Sequence, residues 1–272
     1  MTPPLPRVAV VGAGTMGHGI AYAAALAGCS VALTDARSDA LPQAMAKIQS
    51  LLAGGLKRGK LTEADRARVY ERLRAENALA RAVDGAEVVI EAVIEDLNVK
   101  QRLFSEVERV APAGALLASN TSSLSIGQIA AALKQPGRLV GMHFFNPVHL
   151  MKLVEVVTHR RGDRSATDRA VAFARQLGKE PIVVRDSPGF ASSRLGVVLG
   201  LEAMRMLEQG VAGAEDIDKA MELGYNHPMG PLKLHGPCGA RRAAGDCRVS
   251  ARHPQVAALR ATANSAREGE KG

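Results

Sequence analysis

A glycine-rich turn near the start of the chain, VGAGTMGHG, constrains the possible fold more than any other stretch. Gly12, Gly14 and Gly17 have the spacing GxGxxG, and they stand between the apolar run VAVV and an alanine-rich segment that ends at Gly28. A second apolar run, VALTD, follows. A strand, a turn, a helix and another strand form a βαβ unit, which requires parallel strands. In this context the glycines predict a dinucleotide-binding turn, because they permit the tight turn, the approach of a pyrophosphate and the packing of helix on strand.

The acid after the second strand indicates which dinucleotide binds. Asp35 lies eighteen residues after Gly17, where a carboxylate binds the ribose hydroxyls. Because a carboxylate repels a 2′-phosphate, the sequence favours NAD over NADP, although Arg37 nearby keeps NADP open. Thr15 and Met16 of the same turn are predicted to line the cofactor site. The alternative is a glycine turn beside a solvated Asp35 that binds nothing.

Strand and helix patterns alternate as far as the turn DSPGF, at 186–190. This regular alternation predicts an α/β fold, a Rossmann-type doubly wound sheet in residues 1–186. Within it, residues 38–83 are charged and are predicted to be helical throughout. Residues 187–234 contain two helical patterns, which predict an all-helical C-terminal domain.

An acid and a histidine are predicted to face each other across a hairpin in GMHFFNPVHLMKLVEVV. If the hairpin is centred near His149, His143 and Glu155 are opposite each other, because both lie six residues from the centre. A carboxylate beside an imidazole fixes its tautomer and suits a general base near neutrality. A satisfied core histidine, or a surface pair, is the alternative.

The segment SNTSSL, Ser119 to Leu124, follows a predicted strand. Open α/β sheets bind ligands at the carboxyl ends of their strands, so these hydroxyls are candidates for binding a substrate oxygen. The alternative is a helix N-cap, with Ser123 or Ser125 capping IGQIAAAL.

Composition limits the remaining possibilities. The net charge is +8, but residues 235–272 supply half of it, and no cluster of basic and aromatic residues stands out, so we expect no nucleic-acid partner. Cys29, Cys238 and Cys247 have no metal-ligand spacing, so we expect no metal. No leader and no run of transmembrane length is apparent, so we expect a cytoplasmic protein without a membrane partner.

Taken together, the motifs of residues 7–234 resemble those of the L-3-hydroxyacyl-CoA dehydrogenase family, of the bacterial 3-hydroxybutyryl-CoA dehydrogenase type. The motifs, in order along the chain, are VGAGTMGHGIA, VIEAVIEDLNVK, ASNTSSLSI, GMHFFNPVHLMKLVEVV, DSPGF and GYNHPMGPL. The resemblance implies NAD as cofactor, an acyl-CoA substrate and a homodimer.

The resemblance also implies catalytic roles. His143 is the expected base for the 3-hydroxyl proton, Glu155 orients and supports it, and Ser122 binds the substrate oxygen. After DSPGF the family commonly has an asparagine before the arginine, whereas this chain has Ser193. Serine still donates a hydrogen bond, but with shorter reach, so its role is expected to be weaker.

The resemblance further implies binding residues. Glu95, Lys100 and Asn146 are expected in the cofactor site. Ser50 and Lys57 match, more loosely, family positions that contact CoA.

Residues 235–272 depart from the family. They contain one Leu, two Val and no Ile, Phe, Met or Tyr, too little apolar surface to offset chain entropy. One legal codon choice for residues 235–250, read one base later, gives TDLVGLDVRLAIAEYL, an amphipathic continuation of the family type. We therefore interpret 235–272 as an aberrant, disordered tail read out of frame, with a basic tail as the alternative. By the resemblance, residues 187–234 are then a truncated all-helical substrate and dimerisation domain, and dimerisation of this chain is doubtful.

The function expected is interconversion of L-3-hydroxyacyl-CoA, of short chain such as 3-hydroxybutyryl-CoA, and 3-oxoacyl-CoA with NAD. Two alternatives remain: an inactive NAD-binding remnant with an incomplete C-terminal domain, and a related dehydrogenase of a non-CoA hydroxy acid.

Overall fold

The computed structural model describes residues 5–234 of the 272-residue chain. These residues divide into two compact units, with the boundary between Ser187 and Pro188. The predicted aberrant tail, residues 235–272, lies outside the described residues.

The first unit is built on one sheet. Its strands are β1 (Arg7–Val11), β2 (Ser30–Thr34), β3 (Leu73–Ala75), β4 (Val88–Glu91), β5 (Leu116–Ser119), β6 (Leu139–Phe144), β7 (Leu153–Thr158) and β8 (Glu180–Arg185). Its helices are α1 (Thr15–Ala27), α2 (Ala40–Lys57), α3 (Glu63–Arg72), α4 (Leu79–Val83), α5 (Leu97–Val110), α6 (Ile126–Ala130) and α7 (Arg164–Gln176).

The strand order is β3-β2-β1-β4-β5-β6-β7-β8, and the strands from β3 to β6 are mutually parallel. The chain reverses once, because β7 is antiparallel to β6 and parallel to β8. Helices α1, α2, α3 and α7 share one buried cluster with alternate strand residues such as Val10 and Ile90. The intervening residues Val89 and Leu117 are also fully buried, so both faces of the central strands are covered. The predicted doubly wound α/β fold is confirmed.

Local sequence explains where the helices begin and end. Helix α1 is capped by Gly28, whose φ of 106° is a conformation that favours glycine. The N–H of Gly28 donates to carbonyls of the last turn. Helix α3 begins with a capping box, in which Thr62 and Asp65 each accept a hydrogen bond from the other's backbone N–H. Ser125 caps α6 by accepting a bond from the N–H of Gln128.

One expectation within this unit is wrong. Residues 38–83 are not helical throughout, because Leu73–Ala75 forms the edge strand β3 against β2. This strand has three residues and one buried side chain, Leu73, so it leaves no alternating pattern in the sequence. Pairing with β2, and not local propensity, makes it a strand.

The second unit, as far as it is described, is helical. It comprises α8 (Ser192–Glu208), α9 (Ala214–Gly224) and α10 (Pro231–Leu234). Ala203, Ile217 and Leu232 form its buried cluster. Asp218 is also buried, and its carboxylate accepts a hydrogen bond of 2.8 Å from the N–H of Leu232, which ties α9 to α10.

Candidate active site

A cavity of about 960 Å³ lies at the carboxyl ends of the parallel strands of the first unit. It is next to the point where the strand order reverses between β1 and β4, the usual ligand position in such sheets. The wall is made by the end of β6, by the loops that follow five strands and by the first turns of α1 and α5. Its residues are Gly12, Gly14, Thr15, Met16, Asp35, Ala36, Arg37, Ala92, Val93, Ile94, Glu95, Val99, Asn120, Ser122, His143, Phe144, Phe145 and Asn146.

The glycine turn is shaped by close backbone contacts. A Cβ on Gly12, where φ is 105°, would lie 2.5 Å from the carbonyl oxygen of Ala92. A Cβ on Gly17 would lie 1.7 Å from the carbonyl oxygen of Gly12, so α1 packs on the turn only because a side chain is absent. Gly14 has the opposite environment: a Cβ there would meet nothing within 4 Å. The turn therefore offers bare backbone, at the start of α1, to a phosphate in the cavity.

Asp35 is fixed by the same turn. One carboxylate oxygen accepts a hydrogen bond of 2.7 Å from the N–H of Ala13, and the other accepts one of 2.9 Å from the N–H of Arg37. Both bonds hold the side chain at the cavity wall. A carboxylate in this position is suited to binding the two hydroxyls of an unmodified ribose.

His143 and Glu155 form a buried pair. They are direct partners in the β6–β7 register, as the sequence predicts. His143 Nδ1 is 2.7 Å from Glu155 Oε2, and their residues are 7% and 0% exposed. A Glu155 carboxylate accepts the hydrogen of Nδ1, and in that tautomer Nε2 is the basic nitrogen of the imidazole. His143 lines the cavity, and Glu155 lies behind it in the sheet.

Glu95 holds the SNTSS turn, which follows β5 in the same cavity wall as His143. Its Oε1 accepts hydrogen bonds from the Thr121 hydroxyl, from the Ser122 N–H at 3.1 Å and from the Ser123 hydroxyl at 3.2 Å. Burial alone would raise the pKa of the Glu95 carboxyl. The bonds from Thr121 and Ser122 and the charge of Lys100 outweigh burial and hold that pKa below its ordinary value. Glu95 is therefore an anion that places Ser122 at the cavity.

Lys100 lies behind Glu95, beyond the cavity wall. It is 1% exposed, and its ammonium lies 2.5 Å from Glu91 Oε1 and 3.2 Å from Glu95 Oε2. Of the residues expected to bind the cofactor, Lys100 and Gly17 are the two that do not line the cavity. Both are one step removed from it, Lys100 through Glu95 and Gly17 through Gly12.

The expected CoA residues are elsewhere on the first unit. Ser50 and Lys57 are both exposed on α2, two turns apart and so on the same face of that helix. The Ser50 hydroxyl donates to the carbonyl of Ala46. Ser193 belongs to the second unit, near the start of α8.

Among the residues absent from the sequence-based expectations, two polar ones, Asn120 and Glu91, hold the loops of the site. Asn120 accepts a hydrogen bond of 2.9 Å from the N–H of Phe144 and so joins the β5 loop to β6. Glu91 is 1% exposed at the end of β4. An acid inside the apolar run VVIEAV was a usable signal, because a buried carboxylate needs partners.

Fold and site together define a Rossmann-type dinucleotide-binding domain with an acid–base pair at the edge of its cavity. The family model of the 3-hydroxyacyl-CoA dehydrogenase NAD-binding domain matches residues 7–187 of the sequence. The family model of the 3-hydroxyacyl-CoA dehydrogenase C-terminal domain matches residues 189–261. The chain belongs to the 3-hydroxyacyl-CoA dehydrogenase family. NAD is accordingly the cofactor of its first domain.

Individual relatives agree with this assignment. A probable 3-hydroxybutyryl-CoA dehydrogenase of Bacillus subtilis is 40% identical over 230 residues, 85% of this chain and 80% of that protein. The 3-hydroxybutyryl-CoA dehydrogenase of Mycobacterium tuberculosis is 43% identical over 236 residues, 86% and 82% of the two chains. The crystal structure of (S)-3-hydroxybutyryl-CoA dehydrogenase PaaH1 from Ralstonia eutropha superposes with a TM-score of 0.81 at 39% identity, covering 85% of this chain and 81% of that one.

Residues 5–234 offer neither a metal centre nor a membrane span. No cluster of three or more metal-ligating side chains occurs among them. None of the helices described is both long and apolar enough to cross a membrane.

Proposed function

We propose that this chain interconverts L-3-hydroxyacyl-CoA and 3-oxoacyl-CoA, with NAD as the redox partner and with short acyl chains such as 3-hydroxybutyryl as substrates. The observation that carries the proposal is the His143–Glu155 pair, 2.7 Å apart, whose histidine lines the same cavity as the glycine turn. The names of the relatives favour the short-chain substrate.

The residues of the cavity have complementary roles in this reaction. The glycine turn and Asp35 would hold NAD, which would supply the acceptor for the hydride from C3 of the hydroxyacyl group. His143 Nε2 takes the proton of the 3-hydroxyl as the carbonyl forms, and returns it to the carbonyl oxygen in the reverse direction. Glu155 supports the imidazolium that results, since its carboxylate accepts the Nδ1 hydrogen bond.

Ser122 is proposed to hold the substrate oxygen. It lies in the cavity wall on the turn that Glu95 fixes, so its hydroxyl is available to the oxygen that changes from alcohol to carbonyl. Asn146 and Phe145 complete the wall beyond His143. Ser50 and Lys57, exposed on one face of α2, are proposed to contact CoA, for which the lysine offers a cation to a phosphate.

The test is oxidation of NADH by the purified 272-residue chain with acetoacetyl-CoA, followed by the loss of nicotinamide absorbance. His143→Ala should lower turnover by on the order of 10²- to 10⁴-fold, the usual contribution of a general acid–base group, with NADH still bound.

The matched control is His159→Gln. His159 is also buried, but its Nε2 donates to the carbonyls of Pro136 and Leu139, outside the cavity. This variant should lose stability and keep its turnover number. Equal turnover by the wild type and His143→Ala would contradict the proposed role.

A second candidate function follows from the composition of residues 235–272, which hold few large apolar side chains. If these residues are read out of frame, the chain is an NAD-binding protein without turnover. A soluble chain that binds NADH and leaves acetoacetyl-CoA unreduced would select this alternative. Sequencing the coding DNA across Leu234 tests the frame directly.

A further inference from the structure

Glu91 is a buried carboxylate with a complete set of partners. It ends β4, in register with Val11 of β1 and Ser119 of β5, and is 1% exposed. Its Oε1 accepts hydrogen bonds from the N–H of Val93, at 2.7 Å, and from Lys100 Nζ, at 2.5 Å. Its Oε2 accepts one of 2.6 Å from the Ser119 hydroxyl. Removing such a charge from water is strongly unfavourable before pairing, so stability alone is a weak reason for its presence.

Its partners lead to the cofactor side of the cavity. The bond from Val93 fixes the start of the loop 92–95, which lines the cavity and lies over Gly12. Lys100 joins Glu91 to Glu95 at the end of that loop, so one buried cation lies between two carboxylates. The charge of Glu91 therefore balances that of Lys100. Glu95 can then accept hydrogen bonds from the turn that carries Ser122.

The same partners lead to the substrate side. Glu95 accepts bonds from Thr121, Ser122 and Ser123, and these bonds locate the turn that carries Ser122. A second route is direct, because the Ser119 hydroxyl donates to Glu91 and accepts a bond of 3.3 Å from the N–H of Thr121. Two independent chains of bonds thus connect Glu91 to one turn.

We propose that Glu91 is a positioning residue of the reaction, acting through Lys100–Glu95 and through Ser119 to hold the cofactor loop and the Ser122 turn in register. The expected effect of Glu91 on kcat rests on the function proposed above. Its effect on cofactor binding is independent of the substrate.

The first test is Glu91→Gln, which keeps the shape and removes the charge. One amide oxygen cannot replace two carboxylate oxygens that serve three donors, and Lys100 is left to draw Glu95 away from the turn. We expect kcat with acetoacetyl-CoA to fall roughly 10- to 100-fold, the scale of a misplacement near 1 Å. We expect Kd for NADH, read from nicotinamide fluorescence, to rise by a smaller factor, about three- to tenfold.

The matched control is Glu108→Gln. Glu108 also accepts two hydrogen bonds at a loop, from the N–H groups of Lys134 and Gln135, but it does not line the cavity. This variant should change neither kcat nor Kd. If Glu91 is only structural, the folded Glu91→Gln variant will have a lower Tm but the kcat and Kd of the wild type. That result would overturn the proposal.

Two further variants keep the proposal testable. The losses of kcat in Lys100→Met and in Glu91→Gln should not add in the double variant, because both substitutions act on Glu95. Additive losses of kcat would overturn the proposed route through Lys100. If Glu91→Gln does not fold, the test is Ser119→Ala, which removes one hydroxyl donor to Glu91. A severalfold loss in kcat supports the proposal, and the kcat and Kd of the wild type overturn it. A wild type without turnover refutes the proposed function, and the NADH affinities of the folded variants then decide the role of Glu91.

Discussion

Glu155 determines which nitrogen of His143 can act as a base. Its carboxylate is 0% exposed and lies 2.7 Å from Nδ1, so in the proposed reaction it keeps the hydrogen on that nitrogen while Nε2 exchanges the proton. A buried carboxylate is acceptable here because the imidazole satisfies it, and the charge it carries opposes that of the imidazolium formed in the reaction. The two residues act as one unit.

Glu155→Gln should therefore impair turnover more than binding. The amide can donate to Nδ1 and so favour the wrong tautomer, and we expect kcat to fall by roughly 10²-fold or more, as in other histidines that lose a carboxylate partner. Kd for NADH should stay within about twofold. The measurement is steady-state turnover beside NADH fluorescence, and a kcat close to that of the wild type would contradict the tautomer argument.

Asp35 is the residue that should determine the choice of cofactor. With both oxygens held by backbone N–H groups, its carboxylate stays at the cavity wall and opposes a 2′-phosphate. Asp35→Ser should raise Kd for NADH about tenfold, because it removes charge-assisted hydrogen bonds to the ribose. The difference in affinity between NADH and NADPH should become smaller.

The control for Asp35 is Asp39→Ser. Asp39 is exposed, lies before α2, makes no capping bond and is not in the cavity wall. Both affinities should be unchanged in this variant. An equal effect of the two substitutions would mean that net charge, and not the position of Asp35, governs binding.

At the scale of the elements, the strands that the sequence predicts are those with continuous apolar runs. The parallel strands from β1 to β6, apart from β3, are buried on both faces, and such strands carry a signal in composition alone. The pairing of His143 with Glu155 was predictable because the hairpin is symmetric about His149. The short strand β3 and the partners of Glu91 were not, since both depend on contacts between residues far apart in sequence.

The capping box of α3 gives a prediction about stability. Thr62→Ala removes the hydroxyl that accepts from the N–H of Asp65, and we expect the free energy of unfolding to fall by about 1 kcal/mol with turnover unchanged. Thr167→Ala is the control, because its hydroxyl lies inside α7 and bonds to a carbonyl of its own helix. Denaturant titration compares the two.

The capping effect should depend on pH in a defined direction. The side-chain and backbone hydrogen bonds with Thr62 hold the pKa of Asp65 below its ordinary value of 3.8. A depressed carboxyl pKa stabilises the fold above the unfolded value, and the contribution is lost as the pH falls through the folded one. The difference between the wild type and Thr62→Ala should therefore shrink below about pH 4. A difference that stays constant would show that Asp65 takes no part.

At the scale of the molecule, the described cofactor cavity belongs to one unit. Every residue in its wall lies between Gly12 and Asn146, whereas Ser193 belongs to the second unit. Binding of NADH and turnover of the substrate should therefore respond differently to changes in α8.

Ser193 provides the corresponding prediction. Ser193→Asn, which introduces the residue common in the family, should raise kcat severalfold because the longer amide reaches further. Ser193→Ala should lower kcat, and both variants should bind NADH as the wild type does. The three chains are compared in acetoacetyl-CoA reduction, with fluorescence titration of NADH. Identical turnover in all three would remove Ser193 from the reaction.

The reversal of the sheet at β7 has a consequence for how the site is assembled. Twelve residues separate His143 from Glu155, whereas eighty separate Arg7 from Glu87, which meet where β1 is brought beside β4. Loop-closure entropy grows as the logarithm of length, so the shorter loop is favoured by about 2 kcal/mol. The acid and the base are neighbours through a local hairpin, but the cavity wall is complete only when the loop that follows β4 has met the turn that follows β1.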